Sequence, residues 1–139
     1  MTTFTTSRLI PATPEAVFAA IAAPQRLARW WGPAGFSNTF EAFEFKPGGQ
    51  WVFTMQGPDG KSYPNVSYFQ TIIPNRQVVI QHENQPRFQL SITLEAVPTG
   101  TRVLWEQAFE DPAVASAVRH IVEPANEQNL DRWMAEVSI

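Results

Sequence analysis

Trp30-Trp31-Gly32-Pro33 is the first of four short signatures that decide the fold of this 139-residue chain. The other three are Pro47-Gly48-Gly49-Gln50-Trp51, Gly57-Pro58-Asp59-Gly60 and Tyr63-Pro64-Asn65. Each of them combines residues that favour turns, so each marks a reversal or an irregularity of the backbone. Between these turns the chain is rich in aromatic residues, with five Trp and ten Phe.

Residues before the first signature predict a strand followed by two short helices. Thr and Ile alternate over residues 3–10, which indicates a strand. Thr13, Pro14 and Glu15 supply an N-cap, a proline at the first helical position and an acid that the helix dipole favours. Pro24 begins a second helix, which Gly32-Pro33 ends.

From Phe36 to Phe109 the apolar pattern has a period of two, which is typical of antiparallel strands with one apolar face. The residues predicted to share the apolar face are Phe43 and Phe45; Trp51, Phe53 and Met55; Val78, Ile80 and His82; Phe88, Leu90, Ile92 and Leu94; and Val103, Trp105, Gln107 and Phe109. Because side chains alternate along a strand, an error of one residue in register would invert a whole strand.

A long final helix is predicted from Asp111-Pro112 to about Val137. Pro124 lies inside it and has no N–H for the carbonyl of His120, so we expect a kink or break near residues 120–124. The element order predicts an α+β fold in which this helix covers a curved antiparallel sheet of six to seven strands. We expect residues 1–139 to form one domain.

The four signatures, in this order and spacing, resemble the START-like (SRPBCC) superfamily, in the branch related to the activator of the heat-shock-protein-ninety ATPase. The resemblance extends from Ile10-Pro11-Ala12 to Asn129-Leu130-Asp131-Arg132. It implies a helix-grip fold whose cavity binds different molecules in different members. It also implies that homodimers are possible. Members acting on the chaperone carry an additional N-terminal domain, whereas this chain starts at its first strand, so we expect no chaperone partner.

Composition excludes several other functions. The net charge is −3, with no basic run, so nucleic-acid binding is not expected. The longest apolar run, from Ala16 to Ala23, is much shorter than the about 18 residues that a membrane span needs. The chain has no cysteine and no secretory signal, which favours a cytoplasmic location.

A lined cavity is our main functional hypothesis, because a twisted sheet curves away from a straight helix and leaves space between them. The sequence predicts that this cavity binds a small hydrophobic molecule such as a lipid, a polyketide or an aromatic metabolite. The candidate ligand-binding residues are Trp31, Phe43, Phe45, Trp51, Phe53, His82, Phe88, Leu90, Trp105, Gln107, Phe109, Ile121 and Trp133. Ala125 is expected on the same helix face, with Glu123, Asn126 and Asn129 as polar candidates for the cavity mouth.

Two alternatives stay open. A cyclase or hydrolase of the polyketide-cyclase type would need an acid or base in the cavity, and Glu41 and His82 are the candidate proton-transfer pair. A co-chaperone-like protein-interaction module is the second alternative. No catalytic motif is present, no metal-ligand spacing occurs and no phosphate-binding glycine pattern is found, so we expect neither metal nor cofactor.

Overall fold

The computed structural model describes residues 2–138 and has the predicted α+β, helix-grip architecture. Its elements are β1 (Thr2–Ile10), α1 (Pro14–Ala22), α2 (Pro24–Trp30), β2 (Ser37–Phe43), β3 (Gln50–Gln56), β4 (Ser62–Ile73), β5 (Gln77–His82), β6 (Phe88–Val97), β7 (Gly100–Phe109) and α3 (Pro112–Val137). The strands form one curved antiparallel sheet in the order β1-β7-β6-β5-β4-β3-β2. None of the helices within residues 2–138 is long and apolar enough to cross a membrane.

The predicted helix caps are present. The Thr13 side chain accepts a hydrogen bond from the amide of Ala16 at 3.2 Å, and Asp111 accepts one from the amide of Ala113 at 2.9 Å. Both bonds satisfy amides that have no partner inside their own helix. They fix where α1 and α3 begin, and therefore how the two helices meet the sheet.

Strand pairing confirms the predicted inner face on β3, β5, β6 and β7. Trp51 pairs with Ser67, Ser67 with His82, His82 with Phe88, and Phe88 with Phe109. Directly paired residues of antiparallel strands lie on the same face of the sheet. One row of inner residues therefore crosses five strands.

Two local features of α3 differ from the prediction. The helix runs without interruption through Pro124, so of the two predicted alternatives, a kink or a break, the break is absent. Ile121 was expected to face the sheet, but its side chain is 60% exposed. The inner stripe of this part of α3 instead uses Ala115, Val118 and Val122, which pack around Phe4 and Phe109.

The C-terminal end of α3 is anchored by aromatic and charged contacts. Trp133 is completely buried, and its indole N–H donates to the carbonyl of Val17 in α1. The carboxylate of Glu136, also buried, accepts hydrogen bonds from Arg26 and Arg29 of α2. Between this anchor and the Phe4–Phe109 cluster, the middle of α3 lies over the sheet.

Candidate functional site

A cavity of about 230 Å³ lies between the inner face of the sheet and the middle of α3. Strands β3 to β7, the segment after α2 and one face of α3 form its wall. The lining residues are Trp31, Gly32, Pro33, Trp51, Phe53, Met55, Asn65, Ser67, Ile80, His82, Pro86, Phe88, Leu90, Trp105, Gln107, Ala125, Asn126 and Asn129. The wall is predominantly apolar, with its polar atoms confined to a few side chains.

Eight of the candidate residues come together at this wall: Trp31, Trp51, Phe53, His82, Phe88, Leu90, Trp105 and Gln107. Ala125, Asn126 and Asn129 of α3 also line it, whereas Glu123 does not. The two neighbouring tryptophans of the first signature have separate environments. Trp31 lines the cavity, while Trp30 donates its indole N–H to the carbonyl of Ala20 at 2.9 Å.

Five candidates lie elsewhere. Phe43 and Phe45 pack against Phe69, with ring centroids 5.6 Å and 5.1 Å from it, and do not line the cavity. Phe109 belongs to the cluster with Phe4, Trp133 stacks on Trp30, and Ile121 is exposed. The structure therefore assigns Phe43, Phe45, Phe109 and Trp133 to packing around the cavity rather than to its wall.

Two lining residues, Met55 and Ile80, were predicted on the apolar face but were not among the candidate ligand-binding residues. The lining residues that were not identified from the sequence are Gly32, Pro33, Asn65, Ser67 and Pro86. Two of these, Asn65 and Ser67, could have been found from the turn at 57–60. A hairpin centred there pairs Phe53 with Asn65 and Trp51 with Ser67, as observed. Both polar residues therefore belong to the face that the aromatic residues of β3 define.

His82 is buried in the wall, and each of its ring nitrogens lies within hydrogen-bonding distance of a protein oxygen atom. The Nδ1 atom is 2.8 Å from the carbonyl oxygen of Pro86, and Nε2 is 2.7 Å from Oδ1 of Asn65. Both oxygens are acceptors, because the Asn65 side-chain nitrogen donates to the carbonyl of Tyr63, so a neutral imidazole donates to only one of them. The ring also stacks on Phe88, with centroids 4.5 Å apart. Burial lowers the pKa of His82, although the carbonyl oxygen of Pro86 and the charge of Glu83 act in the opposite direction.

Glu41, the other half of the candidate proton-transfer pair, does not lie in the cavity. A β-bulge interrupts the pairing of β2 with β3 between Phe40 and Ala42, so the alternation that placed Glu41 beside Phe43 does not continue through it. The carboxylate is exposed and accepts a hydrogen bond from Thr54 at 3.2 Å. The structure therefore does not bring the candidate pair of Glu41 and His82 together.

An amide cluster occupies the α3 side of the cavity. The Asn126 side-chain nitrogen donates to Gln107 Oε1 at 3.0 Å, and Asn129 Nδ2 donates to the carbonyl of Trp30 at 3.0 Å. These are neutral groups. No Asp, Glu, Lys or Arg lines the cavity, and residues 2–138 contain no group of acidic and histidine side chains that would hold a metal ion.

Arg132 holds the segment that forms the cavity mouth. This segment, residues 31–36, connects α2 to β2 and is called the α2–β2 segment below. The guanidinium donates to five carbonyl oxygens at 2.7–3.2 Å, those of Arg29, Trp31, Gly32, Pro33 and Phe36. Burial lowers the pKa of Arg132, but an arginine remains protonated at neutral pH. Gln128 of α3 also accepts from the amide of Ala34, and Asn38 donates to the carbonyl of Trp31. Arg132 therefore supplies most, but not all, of the side-chain hydrogen bonds that hold Trp31, Gly32 and Pro33 in the wall.

A curved sheet that holds one long helix over an apolar cavity defines a helix-grip protein. The model of the family "Activator of Hsp90 ATPase homolog 1-like protein" matches residues 11–136. The chain therefore belongs to the family of activator of Hsp90 ATPase homolog 1-like proteins. No curated protein matches the sequence.

Solved structures share this fold over nearly the whole chain. A protein from Nitrosomonas europaea is 17% identical, with a TM-score of 0.89 over 98% of this chain and 94% of its own. An Arthrobacter aurescens protein is 24% identical, with a TM-score of 0.89 over 98% of this chain and 86% of its own. The AHSA1 protein from Silicibacter pomeroyi is 21% identical, with a TM-score of 0.79 over 99% of this chain and 98% of its own. At these identities the likeness shows the fold.

Proposed function

We propose that this protein binds a small hydrophobic molecule in the cavity between its sheet and α3. The observation that carries the proposal is the cavity itself, about 230 Å³ in volume and lined mainly by aromatic and aliphatic side chains. Protein interiors are normally packed without voids of this size, and apolar concave sites with a few polar groups are typical of ligand binding. The fold of the family supports the same function.

Neither alternative has a comparable observation in its favour. Enzymatic proton transfer lacks an acid or base with a free atom in the cavity, since Glu41 lies outside it and both nitrogens of His82 lie within hydrogen-bonding distance of protein oxygen atoms. The family name mentions a chaperone ATPase, but no surface feature here points to a chaperone. A cytoplasmic location, a single domain and a homodimer stay predictions from the sequence.

A thermal-shift screen of the purified protein tests the proposal. The panel contains single-ring and multi-ring aromatics, flavonoids, fatty acids and sterols, each at several concentrations. A ligand at 100 times its dissociation constant adds about 2.7 kcal/mol to the free energy of unfolding, which raises the melting temperature by several degrees.

Two phenylalanine variants show whether a thermal shift arises in the cavity. Ser67→Phe places a ring in the cavity wall and should abolish the shift. Ser91→Phe is the matched control on β6, because Ser91 pairs with Glu106 and does not line the cavity. Equal shifts in both variants, or no shift with any compound, would contradict the proposal.

A further inference from the structure

The polar atoms of the cavity define which hydrophobic molecule it fits. Gln107 is 92% buried, since its exposed fraction is 8%. Its amide is paired only with that of Asn126. Whichever way these two amides are turned, their single hydrogen bond uses one nitrogen and one oxygen. One amide nitrogen and one amide oxygen therefore remain without a partner among residues 2–138.

Asn129 adds a second acceptor beside this pair. Its Nδ2 atom donates to the carbonyl of Trp30, which only accepts, so the orientation of the amide is fixed. Its Oδ1 atom has no donor among residues 2–138, although the side chain is 95% buried, with 5% exposed. Asn126 and Asn129 are three residues apart on α3, so their side chains are neighbours on one face of the helix. A donor and two acceptors thus lie close together at α3. The wall also contains the buried indole N–H groups of Trp51 and Trp105, which have no partner among residues 2–138.

Charge restricts the ligand further. Among residues 2–138, His82 is the only titratable side chain that lines the wall, and its ring nitrogens face the oxygen atoms of Pro86 and Asn65. A carboxylate or an ammonium group would lose its hydration here without gaining a counter-ion from an Asp, Glu, Lys or Arg side chain, which opposes binding. The cavity therefore favours an uncharged ligand.

Volume sets an upper limit on size. An apolar protein cavity of about 150 Å³ accommodates benzene. Scaled from that case, the 230 Å³ of this cavity accommodates about nine non-hydrogen atoms. This is one substituted ring or two fused rings, and is much smaller than a sterol or a long-chain lipid.

We propose that the ligand is a small, neutral phenol, with its ring among the aromatic residues of the wall and its hydroxyl at the Gln107–Asn126–Asn129 cluster. This inference rests on the proposed function and narrows it to one chemical class. A phenolic hydroxyl accepts one hydrogen bond and donates another, so it matches both the free amide nitrogen and the free amide oxygens. An aromatic ring without a hydroxyl would leave these amide atoms unpaired and should therefore bind more weakly.

Calorimetric titration of the wild-type protein at neutral pH compares four probes of similar size. They are para-ethylphenol, its methyl ether para-ethylanisole, the apolar para-ethyltoluene and the anion para-methylbenzoate. We expect para-ethylphenol to bind about tenfold more tightly than para-ethyltoluene, as one hydrogen bond predicts. The ether should be intermediate because it retains only the acceptor, and the benzoate should be weakest. This ranking needs no variant.

Substitution of Gln107 then locates the hydroxyl. Gln107→Leu should reduce the affinity for para-ethylphenol about tenfold, to that of para-ethyltoluene, and leave the affinity for para-ethyltoluene unchanged. Gln89→Leu is the matched control on β6, because Gln89 bonds to Gln70 and does not line the cavity. The inference would be overturned if para-methylbenzoate bound as tightly as para-ethylphenol. It would also be overturned if Gln107→Leu reduced the affinities for para-ethylphenol and para-ethyltoluene equally.

The broader screen separates the two proposals. If only lipids, sterols or anions shift the melting temperature, the protein has a hydrophobic ligand but it is not a small phenol. If nothing in that panel shifts the melting temperature and none of the four probes binds, both proposals are wrong.

Discussion

The indole rings of Trp30 and Trp133 stack almost in parallel, with centroids 4.6 Å apart and an angle of 8° between their planes. Each ring also donates its N–H to a carbonyl of α1, that of Ala20 for Trp30 and that of Val17 for Trp133. The stacked pair thus joins α1, α2 and α3 at one point. It fixes the end of α3 that extends beyond the cavity.

This stacked pair predicts that Trp133 contributes to stability more than Trp105 does. Trp133→Phe loses a buried hydrogen bond together with ring area, and should lower the free energy of unfolding by about 2–3 kcal/mol. Trp105→Phe loses no hydrogen bond, because its buried indole N–H has no partner, and should cost about 1–2 kcal/mol. Urea denaturation of both variants measures this order, and the reverse order would contradict the assignment.

Glu136 predicts an acid-sensitive contact between α2 and α3. Hydrogen bonds from Arg29, and then from Arg26, lower the pKa of its carboxyl group despite burial. Because the folded state holds the carboxylate at a lower pKa than the unfolded state, the contact stabilises the protein above the ordinary value of about 4.5. This stabilisation is lost as the pH falls through the folded pKa.

Glu136→Gln should therefore lower the free energy of unfolding by about 1–3 kcal/mol at neutral pH, and by less at about pH 3, which lies below the ordinary value of about 4.5. Denaturant titrations at the two pH values measure the difference. Glu123→Gln is the control on the same helix. Glu123 is exposed, and its carboxylate lies 3.9 Å from the guanidinium of Arg119, so this ion pair is long and surrounded by solvent. A loss that does not depend on pH would show that the charge of Glu136 is not responsible.

Arg132 predicts a link between helix and cavity mouth. Arg132→Lys keeps the positive charge, but a single ammonium group lacks the planar fork that reaches five carbonyl oxygens. We expect a loss of about 2 kcal/mol in unfolding free energy and weaker binding of any cavity ligand. Arg102→Lys, at an exposed arginine of β7, should change neither quantity. If Arg132→Lys bound ligands as tightly as the wild type, the hydrogen bonds from Arg132 to the α2–β2 segment would not contribute to ligand affinity.

His82 predicts a second dependence of the unfolding free energy on pH. Here protonation creates a positive charge, whereas in Glu136 it removes a negative one. Its lowered pKa means that the unfolded state binds the proton more readily than the folded state. Stability should therefore fall as the pH drops below the unfolded value of about 6.5, until the folded pKa is reached. Glu83, which is paired with Arg87, favours the imidazolium and limits this effect.

His82→Gln should make the free energy of unfolding less dependent on pH between about pH 7 and pH 5. His120→Gln is the control, because His120 is exposed on α3. If the two variants show the same pH dependence as the wild type, His82 is not the group responsible. Denaturation curves at several pH values within this interval make the comparison.

The sequence predicted the inner faces of four strands because large apolar residues alternate there with polar ones, as in Phe88, Leu90 and Ile92. The sequence did not predict which residues of β4 face inward. On that strand Asn65 and Ser67 face inward while Val66 is exposed, so polarity does not follow the faces. The strand also contains a register shift between Phe69 and Thr71, which interrupts any period of two.

The outward positions of Glu41 and Ile121 have related physical causes. Alternation assumes a regular strand, and the bulge between Phe40 and Ala42 adds the residue that shifts Glu41 outward. On α3, positions 118 and 121 and positions 118 and 122 are both helically spaced. Only packing against Phe4 and Phe109 selects Val122 rather than Ile121. Spacing alone does not distinguish the two stripes.

The five carbonyl oxygens bound by Arg132 have a consequence for affinity. A mobile loop at a binding site loses conformational entropy each time a ligand orders it, and that loss weakens association. Here the ordering of the α2–β2 segment takes place during folding, because α3 supplies the hydrogen bonds without any ligand. The mouth of the cavity is preorganised, so ligands that fit it bind without the entropic penalty of closing a lid.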